Sequence, residues 1–576
     1  MRQRLPPGRS TRAARRAPQG GSPHDQVLSL QRMAGNAATA RLVGRSRRSV
    51  ARFGEPEHRA IGDAALDRVW RLPGSKLFKE LELTFGDWVA LGDWFENIGD
   101  VKKIMRGEPL EGEENVGLVK PDKSGNRPDT IGQLYYAVLV KIRPKNEGDR
   151  KKAEDKHMGL LFTKVDKDAV EERYSRLKTR NIKHFPNPLV GDTELSTAQK
   201  ATRRRDGKPF VAIAEYHADH LDAVNLAISA GQLGDNQLLG EAVAMDGFAC
   251  HYLTDAFSAS HTRTPRSSIE AYWDAKVPNF EDRLEKWLAD EITLAVERSP
   301  SGFLEWLGVT IGEPFNAVRN KARKKVAPVV PELSFGDVVG LVVHDWEGAH
   351  GPDRHGPLVE VAGNRFRTVG DDGLLPVIGK FAKPKSTGQL KAILKDAKGS
   401  AAERTFAGAA LAVRASVDDL DRAFAIAAKN RKRPRKDIIA SLMGKDGLFA
   451  SERYVPTAVP DAKQPADDRM PKWDYATVDQ LLNDPKISAA LPESASKVAE
   501  PFEDTLKHLD ASQAVKDQIT RAVVRPLKSG DPQRIRQWVK DVIEYSPARL
   551  RQRMKQQGLH RTDPIDDLGQ LREGVH

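Results

Sequence analysis

The chain has a single cysteine, Cys250, among its 576 residues, so it cannot form an intrachain disulfide. That scarcity is compatible with a cytosolic origin. No stretch approaches the roughly 18 to 20 consecutive apolar residues that span a bilayer, and the charged N-terminus lacks the apolar core of a secretory signal. We therefore expect a protein that is made in the cytoplasm and has neither a signal peptide nor a transmembrane segment.

Several motifs that carry known chemistry are also missing. The sequence has no Gly-rich phosphate-binding loop, no Gly-x-Ser-x-Gly elbow and no zinc-finger spacing, and no internal repeat is evident. These absences argue against a P-loop nucleotidase, a serine hydrolase of the elbow type and a finger-type DNA-binding protein.

The positive charge is confined to one end of the chain. The net charge is +12, and residues 1–52 contain 12 arginines, one aspartate (Asp25), no lysine and no glutamate. The rest of the chain therefore holds 80 of the 92 basic and 79 of the 80 acidic residues, and is nearly neutral. The high isoelectric point thus gives no reason to expect a stable nucleic-acid complex of the folded part.

Residues 1–52 are rich in Arg, Gly, Pro and Ser and are expected to be a disordered basic leader. Within it, residues 27–43 suggest a short amphipathic helix. Their segment "LQRMAGNAATARL" resembles the leader of cargo proteins of bacterial extracellular contractile injection systems, which implies loading into such a machine and delivery outside or into a target cell. The alternative is a short helix that docks on its own domain.

The body of the chain reads as mainly α-helical. Residues 53–375 are expected to form one domain with a small β or loop insertion at 340–375, and residues 376–576 a helical C-terminal region of unknown role. The segments "LTFGDWVALGDWF" and "SFGDVVGLVVHD" contain β-branched and aromatic residues that also fit short helices.

The stretch "FACHYLTDAFSASHTRTPR" gathers His251, Asp255 and His261 after an apolar helical run. His251 and Asp255 are four residues apart, so they share one helix face and could share one cation. His nitrogen and Asp oxygen suit Zn²⁺, and a set without cysteine favours an open, catalytic site. The alternative is a His–Asp surface pair, but the apolar surroundings favour burial, where a carboxylate needs a cation or several donors.

This His-x3-Asp-x5-His spacing resembles that of the zinc-dependent phospholipase C family, which is related to zinc-dependent single-strand nucleases of similar fold. The resemblance covers about residues 53–266 and implies a multi-helix bundle with one to three zinc ions. "HRAIGD", "LTFGDWVALGDWF" and "KHFPNP" match further family segments in order. The metal ligands implied by the resemblance are His58, Asp93 (with Asp87 as the alternate), His184, His251, Asp255 and His261.

The sequence departs from the family at two points. The family uses the free amino end of the mature chain as a ligand, whereas here a leader precedes Phe53, and the downstream His-x3-Glu is replaced by "AKVPN" at 275–279. The segment "HDWEGAH" could compensate, or it could be a hydrogen-bonded loop corner. The additional candidate ligands are His220, His344, Asp345, Glu347 and His350; for His220 a core or supporting role is favoured over ligation, as it is for His217.

The resemblance implies a zinc-dependent phosphodiesterase, most simply a phospholipase C-like toxin or effector. Asp93 or Asp87 would orient or deprotonate water, and Arg263 or Arg266 would stabilise the leaving group, unless the arginines only pair at the surface. Trp88, Trp94, Phe95 and Trp346 could form an apolar rim for a lipid surface or could be core. Two alternatives stay open: a zinc-dependent nuclease, and a non-catalytic cargo or binding protein on a decayed hydrolase fold.

Overall fold

The structure is a computed structural model, and it confirms the mainly α-helical class. Every residue that the structure describes lies within the compact unit formed by residues 48–576. The described residues are 55–66, 69–71, 82–95, 99, 138, 142, 151–153, 211–298, 302–310, 313–331, 333–349, 356–370, 373–445, 447–459, 469–556 and 558.

The first described helices carry most of the candidate site. They are α1 (Glu55–Ala65), α2 (Phe85–Ala90) with the following 3-10 turn Leu91–Asp93, α3 (Val211–Leu233), α4 (Asn236–Asp255), α5 (Ala259–Arg263), α6 (Arg266–Lys276), α7 (Phe280–Arg298), α8 (Phe303–Leu307), α9 (Phe315–Val326) and α10 (Phe335–Gly348).

The remaining described helices are α11 (Leu375–Ile378), α12 (Thr387–Lys395), α13 (Ala401–Lys429), α14 (Arg435–Leu442), α15 (Val478–Asn483), α16 (Pro485–His508), α17 (Gln513–Ile519), α18 (Arg525–Leu527), α19 (Pro532–Ile543) and α20 (Pro547–Gln556). Two small antiparallel sheets accompany them. One pairs β1 (Val69–Arg71) with β2 (Glu82–Thr84), and the other has the order β4 (Asn364–Arg367), β3 (Leu358–Val361), β5 (Thr457–Ala458).

The motif helix α4 lies in the centre of the first hydrophobic core. It is apolar on nearly every side, as expected for a helix that is surrounded by others, and it packs against α2, α3 and α13. Asp235 caps its start by accepting hydrogen bonds from two backbone N–H groups. From Ala242 to its end at Asp255 every residue of α4 is buried, so the polar side chains near its C-terminus face protein rather than water.

Packing does not break at residue 375, where the sequence suggested a boundary. Helix α13 lies beyond that position but packs on α3 and α4 in the first core, which also contains Phe406 and Leu420. A second core joins α6, α7 and α10 to α16, α17 and α19. Both cores therefore combine residues from the two predicted regions.

The insertion predicted at 340–375 is helical in its first part. Helix α10 continues to Gly348, so "HDWEG" is its last turn rather than a loop corner. The β hairpin follows only at β3 and β4, which are joined by a turn with Ala362 and Gly363 in the left-handed region. Of the β and loop alternatives for this insertion, the structure shows a β hairpin, and it begins at Leu358.

One short sequence pattern recurs at the starts of α2 and α10. Thr84-Phe-Gly-Asp87 and Ser334-Phe-Gly-Asp337 each form a capping box, in which the hydroxyl accepts from the aspartate N–H and the carboxylate accepts from the cap N–H. Capping boxes begin helices, so they decide the helix-or-strand ambiguity of both segments. The glycine N–H donates to an aspartate of an earlier helix in each case, Asp63 at 3.1 Å and Asp274 at 2.8 Å.

Among the described helices, none combines the length and the apolar character needed to cross a membrane.

Candidate metal centre

Three histidines converge on the carboxylate of Asp255. Its Oδ1 lies 3.3 Å from Nε2 of His58 and 3.5 Å from Nδ1 of His261, and its Oδ2 lies 3.3 Å from Nε2 of His251. All four side chains are buried. They come from α1, α4 and α5, so the structure brings together the first predicted histidine and the whole motif.

The donor set fits a transition-metal ion. Two atoms bonded to one tetrahedral zinc ion, at the usual His and Asp bond lengths, lie about 3.4 Å apart. The distances from Asp255 to His58 and His251 match that separation, and suitable ligand atoms of the three residues all lie within 4.8 Å of one another. Nitrogen and oxygen donors without sulfur are typical of catalytic zinc sites.

Hydrogen bonding indicates which ring nitrogen of His58 carries the proton. The hydroxyl of Thr254 lies within hydrogen-bond distance of the carbonyl groups of Cys250 and His251, at 2.9 and 2.8 Å, and donates its one proton there. It therefore accepts from Nδ1–H of His58, 2.7 Å away. In the neutral ring, Nε2 then presents a lone pair toward Asp255, which is the form that a metal ligand requires.

A second chain of buried groups assigns the proton of His261. Burial opposes ionisation of Asp345, but the Lys497 ammonium, 2.8 Å away, lowers the pKa of that carboxyl to about 2. Ser494 also donates to it, at 2.7 Å. Burial lowers the pKa of His344 to about 4, so this ring is neutral and donates from Nδ1 to Asp345 at 3.2 Å.

His344 must then accept at its other nitrogen. Its Nε2 lies 3.0 Å from Nε2 of His261, which is the donor. In the neutral ring, Nδ1 of His261 would then present a lone pair toward Asp255, as Nε2 of His58 would. Hence His344 and Asp345, predicted as additional ligands, lie next to the centre but support His261 in this structure.

Asp93 is the aspartate that lies beside the centre. Its Oδ1 is 3.9 Å from Nε2 of His251, and the 3-10 turn that it ends packs on α4. Gly92 permits this approach, because a Cβ at that position would lie 2.2 Å from Cγ of His251. Asp87, the alternate, instead caps α2 with Thr84 and pairs with Arg59 at 3.0 Å, so its place is structural.

The two candidate arginines are held by carboxylates. Arg263 makes two hydrogen bonds to Glu347, of 2.6 and 3.0 Å. Arg266 is buried and contacts Glu270 at 2.8 Å and Asp337 at 3.5 Å, which ties α6 to α10. Burial raises the pKa of Glu270 to about 7 despite this arginine. The structure thus gives both arginines partners at helix contacts, and it offers no support for a role at a leaving group.

His220 belongs to a different buried network and is not next to Asp255. Its Nδ1 lies 2.6 Å from Asp246, and Ser416 donates to the same carboxylate. Burial would lower the pKa of His220, but Asp246 and further carboxylates raise it above its ordinary value. His217 pairs with Glu452 at 2.7 Å in the same region. In the structure, both histidines therefore contact buried carboxylates rather than Asp255.

Cys250 precedes His251 but points toward Asp246, whose Oδ2 lies 4.0 Å from the sulfur. Burial raises the pKa of the Cys250 thiol well above its ordinary range. A thiol that stays protonated is a poor nucleophile, so Cys250 serves as a packed core residue.

Two predicted ligands, His184 and His350, lie outside the described residues. The aromatic residues that were candidates for an apolar rim are all buried in the core: Trp88, Trp94, Phe95 and Trp346. Comparison of the chain with known proteins finds no matching family model and no curated protein or solved structure with significant similarity.

The supporting residues Thr254, Ser494 and Lys497 were not anticipated from the sequence. Thr254 had a signal, because a hydroxyl on a buried helix next to a candidate ligand can donate to the preceding turn and accept from a ring. Ser494 and Lys497 had none, since they lie some 150 residues after Asp345 and meet it only through the packing of α16 on α10.

Proposed function

We propose that this protein is a metal-dependent phosphodiester hydrolase of phospholipase C-like type, with zinc held by His58, His251 and Asp255. The observation that carries the proposal is the convergence of three histidines on the buried Asp255, with ligand separations of 3.3 to 3.5 Å. A buried carboxylate with several histidine nitrogens around it is an arrangement that a divalent cation would stabilise.

A bound zinc ion would act as a Lewis acid that polarises a phosphoryl oxygen and makes a water molecule more acidic. The residues of the chain have separate parts in that chemistry. His58, His251 and Asp255 would hold the ion, and His261, whose Nδ1 lies 3.5 Å from Oδ1 of Asp255, would be a ligand for a further ion. Asp93 is placed to accept the proton of the attacking water, because its carboxylate lies beside His251 and is nearly buried.

The order of the clustered residues along the chain also supports the phospholipase C-like proposal. His58, Asp93 and His251-x3-Asp255-x5-His261 occur in the sequence in the order that the resemblance implies, on a set of packed helices. We propose the specific zinc phospholipase C-like bundle on this ground. Delivery by a contractile injection system remains a proposal that rests on residues 27–43, which lie outside the described residues.

Metal analysis of purified full-length protein tests the proposal. We expect about one or more zinc ions per chain in the wild type and none in Asp255→Asn or His251→Gln, together with loss of phosphocholine release from phosphatidylcholine. His217→Gln is the matched control, because it changes a buried histidine outside the cluster. Zinc at well below one ion per chain, or activity retained in Asp255→Asn, would refute the proposal.

A further inference from the structure

The C-terminal ends of α3 and α13 meet at one surface. Nε2 of Gln232 donates to the carbonyl of Arg433 at 3.3 Å, and Nη2 of Arg435 donates to Oγ of Ser229 at 2.8 Å. A Cβ on Gly234 would lie 3.3 Å from Nη2 of Arg431. The turn between α3 and α4 therefore lies directly against the segment 429–436, which links α13 to α14.

This surface is strongly basic. Within segments 229–239 and 429–440 there are two acidic residues, Asp235 and Asp437, against six basic ones. Five of the six basic side chains are exposed and one, that of Arg433, is half-buried. The six are Lys429, Arg431, Lys432, Arg433, Arg435 and Lys436.

The same surface carries an exposed apolar side chain. Leu233 is 69% exposed, and it is the one large hydrophobic residue that is exposed among the residues the structure describes. Its chain neighbours Gln232 and Gly234 are among the residues that touch the basic segment. An exposed leucine next to a basic segment combines the two attractions of a peripheral membrane contact, apolar insertion and attraction to anionic headgroups.

We propose that Leu233 and the basic residues of 429–436 form a docking face for an anionic phospholipid surface. Charge complementarity identifies the partner as anionic, and Leu233 identifies it as a lipid surface. A single-stranded nucleic acid would be expected to use aromatic stacking, and neither 229–239 nor 429–440 contains an aromatic residue.

The docking face is separate from the candidate metal centre. It lies at the N-terminal end of α4, whereas Asp255 ends that helix 20 residues after Asp235. At the rise of an α-helix this corresponds to roughly 30 Å, which exceeds the screening length of salt at physiological strength. The face therefore attaches the protein to a membrane without forming part of the metal site, and the inference does not rest on the proposed hydrolase activity.

Vesicle binding by full-length protein in EDTA tests the docking face while the metal centre is inactive. We expect binding to vesicles of phosphatidylcholine with phosphatidylserine, weakened by salt, and little binding to phosphatidylcholine alone. Each basic residue near an anionic surface contributes about fivefold, so Arg431→Gln with Lys432→Gln should weaken binding about 25-fold. Lys391→Gln with Lys395→Gln is the matched control, because these exposed lysines lie on α12 near the other end of α13.

The wild type and all variants carry the same arginine-rich leader, which could itself bind anionic vesicles. A probe placed at Leu233 reports on the docking face alone. Cys250 is buried, and a Leu233→Cys variant can therefore be labelled selectively with an environment-sensitive dye. We expect a blue shift of the dye on anionic vesicles and none for the same dye at Lys391→Cys.

Three results would overturn the proposal. The first is that the wild type does not bind anionic vesicles. The second is that the 431/432 variant and its lysine control bind equally well. The third is that the emission of a dye at position 233 does not shift when vesicles are added. If the 431/432 variant loses affinity for single-stranded DNA while Leu233→Gln changes nothing, the surface binds nucleic acid instead.

Discussion

Gly92→Ala is the substitution that tests the construction of the metal centre most sharply. A Cβ at this position would lie 2.2 Å from Cγ and 2.5 Å from Cβ and Cδ2 of the His251 side chain. Carbon atoms in contact are about 3.5 Å or more apart, so the ring or the turn must move by about 1 Å. Metal–ligand distances tolerate only about 0.2 Å, and we therefore expect the zinc dissociation constant to rise about 10- to 100-fold.

The assay is competitive zinc titration with a chromophoric chelator, with thermal unfolding of the metal-free protein measured in parallel. Overpacking of this kind costs about 1 to 3 kcal/mol of stability, so Gly92→Ala should still fold. Gly379→Ala is the matched control, because that glycine is in the right-handed region and a methyl group added there would have no atom within 4 Å. Wild-type zinc affinity in a folded Gly92→Ala protein would refute the placement of His251 at the centre.

Three further predictions concern the buried groups around the centre. Thr254→Val removes the acceptor of the His58 Nδ1 proton and should weaken zinc binding about tenfold, whereas Thr254→Ser should restore it; equal affinities of the two variants would contradict the assigned tautomer. Asp345→Asn leaves the Lys497 ammonium buried without its carboxylate and should cost about 3 to 5 kcal/mol in denaturant unfolding. Because the pKa of Asp345 is lowered from 3.8 to about 2, the ionised carboxylate stabilises the folded state above pH 3.8, and this contribution is lost as the pH falls toward 2. The free energy of unfolding should therefore fall less steeply with acid in the variant than in the wild type. The pKa of His220 is raised from 6.5, so the charged histidine stabilises the folded state fully below pH 6.5, and this contribution is lost as the pH rises through the folded-state pKa. In His220→Gln, the free energy of unfolding measured from pH 6 upward should therefore depend less on pH. The same pH dependence in the variant and the wild type would contradict the charged form of this histidine.

Only part of the candidate centre follows from local rules. His251 and Asp255 share a helix face by their spacing, and His261 follows after a short break, so their meeting required only the helix to form. His58 and Asp93 come from distant elements, and the sequence indicated them only through a family resemblance. The structure places both of them beside His251.

The parts that the sequence did not reveal depend on long-range packing. The contacts of His344, Asp345 and Lys497 join α10 to α16, and no local pattern specifies them. The packing of α13 on α4 is likewise not visible in the sequence, since a gap in local pattern near residue 375 does not specify it.

The repeated Thr/Ser-Phe-Gly-Asp start, in contrast, was visible in the sequence. It would have identified two helix N-termini, at Thr84 and Ser334, by its capping-box spacing. The helical course of "HDWEG" follows from the second of them, because α10 has no proline to end it before Gly348.

X-ray diffraction data collected across the zinc absorption edge from crystals of the zinc-loaded full-length protein test the central claim most directly. We expect an anomalous peak bonded to Nε2 of His58, Nε2 of His251 and the carboxylate of Asp255. A zinc peak elsewhere, for example at His217 or His220, or no peak despite saturating zinc, would contradict it.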